Sequence, residues 1–241
     1  MTFDLHTHSV HSDGTTTIAS NVHEAVALGL EGLAITDHDT TSGCVEAFDE
    51  ADGTGLQIIP GTEFSAEHEG WSVHVLGLWI DGADDALTTE LDRLRNERLH
   101  RARAIVERFV GLGIAVSFDR VQQIAGAAPV GRPHIAQAVV EMGGAADTRE
   151  VFDRFLADGG PAYVPKHAVD PCRAVELLRG AGGVAVLAHP GLYAERSGES
   201  GMPTDVIEEM VGAGLVGIEA DHPDHTPVQR DHYRDVARVL G

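Results

Sequence analysis

The sequence predicts an α/β protein, a parallel sheet or barrel with helices outside it, interrupted by a helical insertion. Three observations point there. Short apolar strand signals alternate with helical patterns at both ends of the 241-residue chain. Between them, over roughly residues 84–160, helical patterns follow one another without a convincing strand. Histidines and acids follow the strand signals repeatedly, as chemistry does at the carboxyl ends of barrel strands.

Taken in order, residues 2–6 read as a strand and residues 18–28 as a helix stopped at Gly29. Residues 32–36 (GLAIT) form a short apolar strand. Residues 42–51 are helical, with Ser42 placed to cap them. Residues 56–59 read as a strand ended by Pro60-Gly61, and residues 71–78 alternate as another. Residues 84–112 form a long charged helix with Arg93, Arg95, Arg98, Arg101 and Arg103 along it. Glu90, Asp92, Glu97 and Glu107 intersperse those arginines, so the helix reads as a solvated face rather than an RNA track. Residues 118–125, 132–142 and 147–157 continue the helical run. Afterwards residues 171–181 are helical, 183–188 (GVAVLA) a strand, 205–213 helical, 216–220 a strand and 227–240 helical. The core is therefore residues 1–83 and 161–241, and the insertion residues 84–160.

Composition narrows the function. Hydrophobic residues make up 43% of the chain, enough for a packed core. No apolar run is long enough to span a bilayer, and no basic segment precedes an apolar one at the start. The expectation is a cytoplasmic protein without a membrane partner. Cys44 and Cys172 stand far apart outside any metal-binding spacing and read as free thiols. With 17 Lys and Arg against 38 Asp and Glu, the formal charge is −21, which repels duplex DNA.

The polar residues after the strands carry the chemistry. His6 and His8 end the first strand and, two apart, share a face. Asp13 follows within the HTHSVHSDG run. Asp37, His38 and Asp39 end the second strand, Glu63 follows the third, and His74 lies within the fourth. His189 ends GVAVLA, and His222 follows GIEA. Imidazoles and carboxylates delivered to one spot suit Zn, Mn or Fe, and their number suits more than one ion. Asp37 and Asp39 read as turn residues or as carboxylates orienting the ligands. His11, His23, His68, His100, His225 and His232 read as solvent-facing.

HTHSVHSDG, AITDHDT, PGTEFS, SVHVLG and LAHP, in that order, resemble the motif series of the PHP (polymerase and histidinol phosphatase) family over nearly the whole chain. The resemblance implies a distorted (β/α)7 TIM-like barrel holding two or three divalent ions (Mn, Fe or Zn). It implies His6 and His8 on a first metal, Glu63 bridging to a second, His74 and His189 completing the second, and Asp13 and His38 on a third. It makes Glu63 and His189 catalytic and the reaction phosphate-ester hydrolysis, by a hydroxide shared between two cations. The insertion, with the segments VGRPHIA and YVPKH, is similar to a subgroup acting on nucleoside 3′,5′-bisphosphates, whose relatives trim RNA from the 5′ end. The expected partner is accordingly a small phosphorylated nucleotide or a short RNA. Histidinol phosphate, or nucleotide binding without turnover, stand as alternatives. Arg132, His134 and Lys166 lie in the subgroup-like segments and are candidates for holding the second phosphate, with Ser72 and Arg98 as weaker ones. The family series closes with a strand bearing an Asp-x-His pair, and none follows His189. The expectation is a sequence cut short at its C-terminus, with His222 or Asp224 as the alternative ligands.

Overall fold

The computed structural model describes residues 2–126, 129–157, 159–166, 169–193 and 201–241, apart from the Trp71 side chain. His167 of the YVPKH segment lies outside them. Two compact units emerge, one of Met1–Asp92 with Ala168–Gly241 and one of Arg93–His167.

The first unit is built on a six-stranded sheet in the order β1 (Phe3–Asp4), β2 (Gly32–Ile35), β3 (Gln57–His68), β4 (Trp71–Leu78), β5 (Val184–Leu187) and β6 (Gly217–Ile218). β1, β2 and β3 pair in parallel, with α1 (Ile18–Ala27) and α2 (Gly43–Ala51) as crossovers. β4 runs antiparallel to both β3 and β5, and β5 pairs in parallel with β6 across α8 (Thr204–Ala213). Five strands therefore point one way and β4 the other. Among the described residues β1 and β6 are free edges, so the sheet is an open one of six strands where a distorted (β/α)7 barrel short of its last strand was expected.

Side-chain alternation makes the layers. Leu33 and Ile35 face the helices, packing with Ile18, Val22 and Ala25 of α1 and Cys44, Ala47 and Ala51 of α2. Ala34 faces the other side with Ile59 and Leu78, against which Phe3, Val184 and Val186 lean. The Thr17 hydroxyl caps α1 by accepting the Ser20 N–H at 3.2 Å. Ser42 makes no such cap on α2, because its hydroxyl is engaged with Thr40 and His11.

β3 is the largest departure from the expected elements. Pro60-Gly61 was to end a short strand, yet β3 runs through it for 12 residues. Gly61 makes this possible, since a Cβ there would sit 2.6 Å from the Gly77 carbonyl oxygen of β4. Glu69 and Gly70, both at positive φ (48° and 85°), then make the two-residue hairpin that reverses the chain into β4. That hairpin, in place of a crossover helix, is why β4 is antiparallel.

The second unit is helical. It holds the continuation of α3 (Asp85–Gly111), then α4 (Phe118–Ala125), α5 (Arg132–Glu141) and α6 (Thr148–Val151), followed by a π-helical turn over Phe152–Leu156. The expected single helix over residues 147–157 is thus α-helical only in its first turn. Ile105 and Phe109 of α3 pack with Val121, Ile135, Val139, Val151 and Leu156 in a core of its own. In the first unit, α7 (Pro171–Gly180) precedes β5 and α9 (Pro227–Leu240) follows β6.

Candidate metal centre

The carboxyl ends of the five like-directed strands deliver the site, and β4 reaches the same end with its amino-terminal half. Glu63, in β3, is 1% exposed and lies at the centre. Its Oε2 is 3.3 Å from His6 Nε2, 3.0 Å from His8 Nε2 and 3.2 Å from His38 Nδ1. Its Oε1 is 2.9 Å from both His74 Nδ1 and His189 Nε2. One carboxylate is thus shared by five imidazoles, three on one oxygen and two on the other. Asp13 stands at the outer edge, 3.4 Å from His8 Nδ1 and 3.6 Å from His38 Nε2.

Local structure explains each placement. His38 and Glu63 form a parallel bridge that prolongs the β2–β3 pairing, and the Asp39 N–H reaches the Glu63 carbonyl at 3.0 Å. Asp39 takes positive φ (52°) and, fully buried, accepts the Ser65 N–H at 2.7 Å. The Asp37 carboxylate accepts from the Ser9 N–H, the Ser9 hydroxyl and the Ser12 hydroxyl, fixing the loop between His8 and Asp13. Asp37 therefore supports the loop rather than entering the imidazole cluster.

His189 is the most constrained residue of the site, at φ 27° and ψ 55°. A non-glycine residue there persists only where its surroundings over-determine it. The Ala188 carbonyl accepts from the Tyr193 hydroxyl at 2.9 Å, and the His189 N–H donates to Glu219 at 2.8 Å. The Pro190 carbonyl accepts from the Tyr233 hydroxyl at 3.1 Å. The Gly191 N–H donates to His225 Nε2 at 3.0 Å, and its carbonyl accepts from Gln229 at 2.7 Å. His225, expected in solvent, is 3% exposed, its Nδ1–H donating to the Ala220 carbonyl at 2.9 Å.

Glu219 is the residue that sequence reasoning missed. It follows β6, and His6 Nδ1 lies 3.1 and 3.2 Å from its two oxygens. The signal was present: it is an acid directly after a short strand, the rule that found Glu63 and His189. His222 lines the same cleft, its ring 5.3 Å from that of His189, and its Nδ1 accepts the Asp224 N–H at 3.2 Å. Asp221 lines the cleft as well, its carboxylate paired with Arg234, and the Asp224 carboxylate is largely exposed.

Burial penalises the charged forms of Glu63, His6 and His38. For Glu63 that cost is outweighed by hydrogen bonds from His189 and His6, which hold its carboxyl well below the usual range. Burial would lower His6, yet Glu219 and Glu63 beside it raise it to about 10. For His38 burial prevails, helped by His74 and His8, and the ring falls to about 4 despite Glu63.

The donor set fits divalent cations. Among the described residues His189 Nδ1 is buried without a hydrogen-bond partner, which is costly unless something else engages it, and the buried Nδ1 atoms of His38 and His74 face the Glu63 carboxylate. Ligand atoms of His6, Glu63 and His189 lie within 4.8 Å of one another, as do those of His8, His38 and Glu63. These triples cut across the pairing that the resemblance implies, while Glu63 Oε2 faces His6, His8 and His38 and its Oε1 faces His74 and His189. The cleft encloses about 670 Å³ between the edges β1 and β6, a size suited to a small ligand.

The expected phosphate-binding residues divide between the units. The Ser72 hydroxyl is 3.4 Å from His74 Nε2. Arg132, His134 and Lys166 belong to the second unit. Arg132 opens α5, is exposed, and lies over the Phe152 ring at 5.8 Å. His134 Nδ1 accepts the Gly131 N–H at 3.1 Å, and Lys166 is half-buried and engaged with neighbours.

Comparison with known proteins adds the following. The PHP domain family model matches residues 4–125. The 5'-3' exoribonuclease Rnm of Salmonella typhimurium is 39% identical over 193 residues, 79% of this chain. The match takes in 66% of that relative, so the chain spans just under two thirds of its length. The 3',5'-nucleoside bisphosphate phosphatase of Chromobacterium violaceum is 36% identical over 228 residues, 92% of this chain and 78% of its own. A crystal structure from Bifidobacterium adolescentis, of a candidate metal-dependent phosphoesterase, superposes with a TM-score of 0.82 at 32% identity. That superposition covers 99% of this chain and 83% of the other.

Proposed function

The chain belongs to the PHP domain family, and from that premise we propose that it is a metal-dependent phosphoesterase removing the 3′-phosphate of nucleoside 3′,5′-bisphosphates. The observation that carries the reading is the division of Glu63, whose two buried oxygens each face a separate set of histidines. A carboxylate so placed would serve two cations, with His6, His8, His74 and His189 as the residues that would hold them and Asp13 with His38 those that would hold a third. Manganese, iron or zinc held there supplies Lewis-acid polarisation of a phosphoryl oxygen and activates water at neutral pH.

The chain's own groups do the rest. Burial keeps Glu63 in one geometry, and its lowered carboxyl pKa keeps it anionic at neutral pH. The Ser72 hydroxyl is available to donate to a phosphate oxygen at the His74 side. Arg132, His134 and Lys166 are assigned to the second phosphate, for which the planar guanidinium is suited by its fork of donors. The test is incubation of metal-loaded protein with adenosine 3′,5′-bisphosphate. Release of inorganic phosphate with adenosine 5′-monophosphate supports the reading, and an unchanged substrate at full metal occupancy overturns it.

A second reading, 5′-to-3′ trimming of short RNA, is favoured by charge distribution as well as by the exoribonuclease relative. The second unit carries 11 of the 17 Lys and Arg but only 8 of the 38 Asp and Glu, so it is net basic in an otherwise acidic chain and repels a polyanion least. Release of mononucleotides from a short 5′-phosphorylated RNA, faster than phosphate from the bisphosphate, would establish it. We place the protein in the cytoplasm as part of this reading; no helix among the described residues is long and apolar enough to cross a membrane.

A further inference from the structure

We propose that Glu219 is a positioning residue that clamps two cation-binding histidines from opposite ends of the sheet, aiming His6 and fixing the backbone of His189. The proposal rests on the metal-dependent reading above. Three hydrogen bonds define the clamp. The Glu219 oxygens lie 3.1 and 3.2 Å from His6 Nδ1, and Oε2 accepts the His189 N–H at 2.8 Å. The Glu219 N–H is itself held by the Leu187 carbonyl at 2.8 Å, which continues the β5–β6 ladder.

Two consequences follow from the chemistry of imidazole. A carboxylate on Nδ1 keeps the proton on that nitrogen, leaving Nε2 with its lone pair for a cation. His6 Nε2 is the atom that faces Glu63 and His8, so the tautomer Glu219 enforces is the one the site needs. The same carboxylate holds the strained turn that presents His189, so one side chain sets ligands on β1 and β5 together. β1 and β6 are not paired with each other, and the His6–Glu219 contact joins their ends across the open side of the sheet.

The experiment compares the full chain with Glu219→Ala and Glu219→Gln. Mn²⁺ affinity is measured by calorimetry, and the His6 tautomer by ¹⁵N NMR of the Zn²⁺ form. Loss of an outer carboxylate partner typically costs about 10–100-fold in metal affinity, and that loss is expected for Glu219→Ala. Glu219→Gln keeps an acceptor for Nδ1–H and is expected to recover most of the affinity. A merely structural role would lower the unfolding midpoint of the metal-free variants while leaving the affinity of the folded fraction and the His6 tautomer unchanged. An Ala variant that binds Mn²⁺ within about twofold of the parent overturns the clamp alone. A parent protein that takes up no Mn²⁺ overturns the metal reading and the clamp with it.

Discussion

Asp37 holds Ser9 twice, its Oδ1 accepting the Ser9 N–H at 2.7 Å and its Oδ2 the Ser9 hydroxyl at 2.8 Å. The Ser12 hydroxyl adds a third bond at 2.6 Å, and Asp37 is 1% exposed. Hydrogen bonds to a buried charge contribute more than neutral ones, and Asp37→Ala leaves three donors without their acceptor. The expected loss is about 3 kcal/mol of unfolding free energy by urea titration. The loop carrying Asp13 is freed as well, so the variant is expected to lose its outermost bound cation first on dialysis.

The metal-free protein is expected to be most stable near pH 6.5 and to weaken on either side. His6 is raised from 6.5 to about 10, so its contribution is full below 6.5 and lost as the pH rises toward 10. His38 is lowered from 6.5 to about 4, so its contribution is full above 6.5 and lost as the pH falls toward 4. Glu63, lowered, adds to the loss in acid as it is forced to protonate. Urea midpoints of chelator-treated protein across pH 4–10 check this, and a monotonic profile would contradict it.

Tyr193 ties β4 to the turn that bears His189. Its buried hydroxyl accepts the His74 N–H at 2.9 Å and donates to the Ala188 carbonyl at 2.9 Å, and burial pushes its pKa upward. Tyr193→Phe keeps the ring and removes both bonds. Each backbone group left short of a partner costs about 1–3 kcal/mol, so a loss of about 2 kcal/mol is expected in urea unfolding. His74 still meets the Ala188 N–H through its own carbonyl at 3.0 Å, so metal binding is expected to survive better than stability.

What the sequence made legible was what repeats. Strand-end polar residues were found because five segments carried them, and His6, His8, His38, His74 and His189 do gather on Glu63. What it hid was long-range. Pro60-Gly61 is a turn signal by local chemistry, and only the approach of Gly77 shows why a glycine stands inside a strand. The reversal of β4 depends on positive φ at Glu69, which no local preference demanded. His225 looked like one of many surface histidines, and its burial depends on Ala220 and Gly191 closing on both ring nitrogens. Glu219 was hidden in the same way, since its partners, His6 Nδ1 and the His189 N–H, lie 213 and 30 residues from it in sequence.

Arg132 offers a test of substrate recognition separate from folding. It is exposed at the start of α5 and leans on Phe152 at 5.8 Å, a contact worth about 0.5 kcal/mol, so Arg132→Ala should barely move the unfolding midpoint. If the guanidinium holds the phosphate that does not react, the variant loses binding common to ground and transition state. KM for adenosine 3′,5′-bisphosphate should then rise about 10–100-fold with kcat nearly unchanged. Adenosine 3′-monophosphate, which lacks that phosphate, should show a change of less than about threefold. Arg132→Lys restores charge without the planar fork and should recover only part of the loss. Equal losses on both substrates would place Arg132 at the reacting phosphate instead, and no loss on either would remove it from the site.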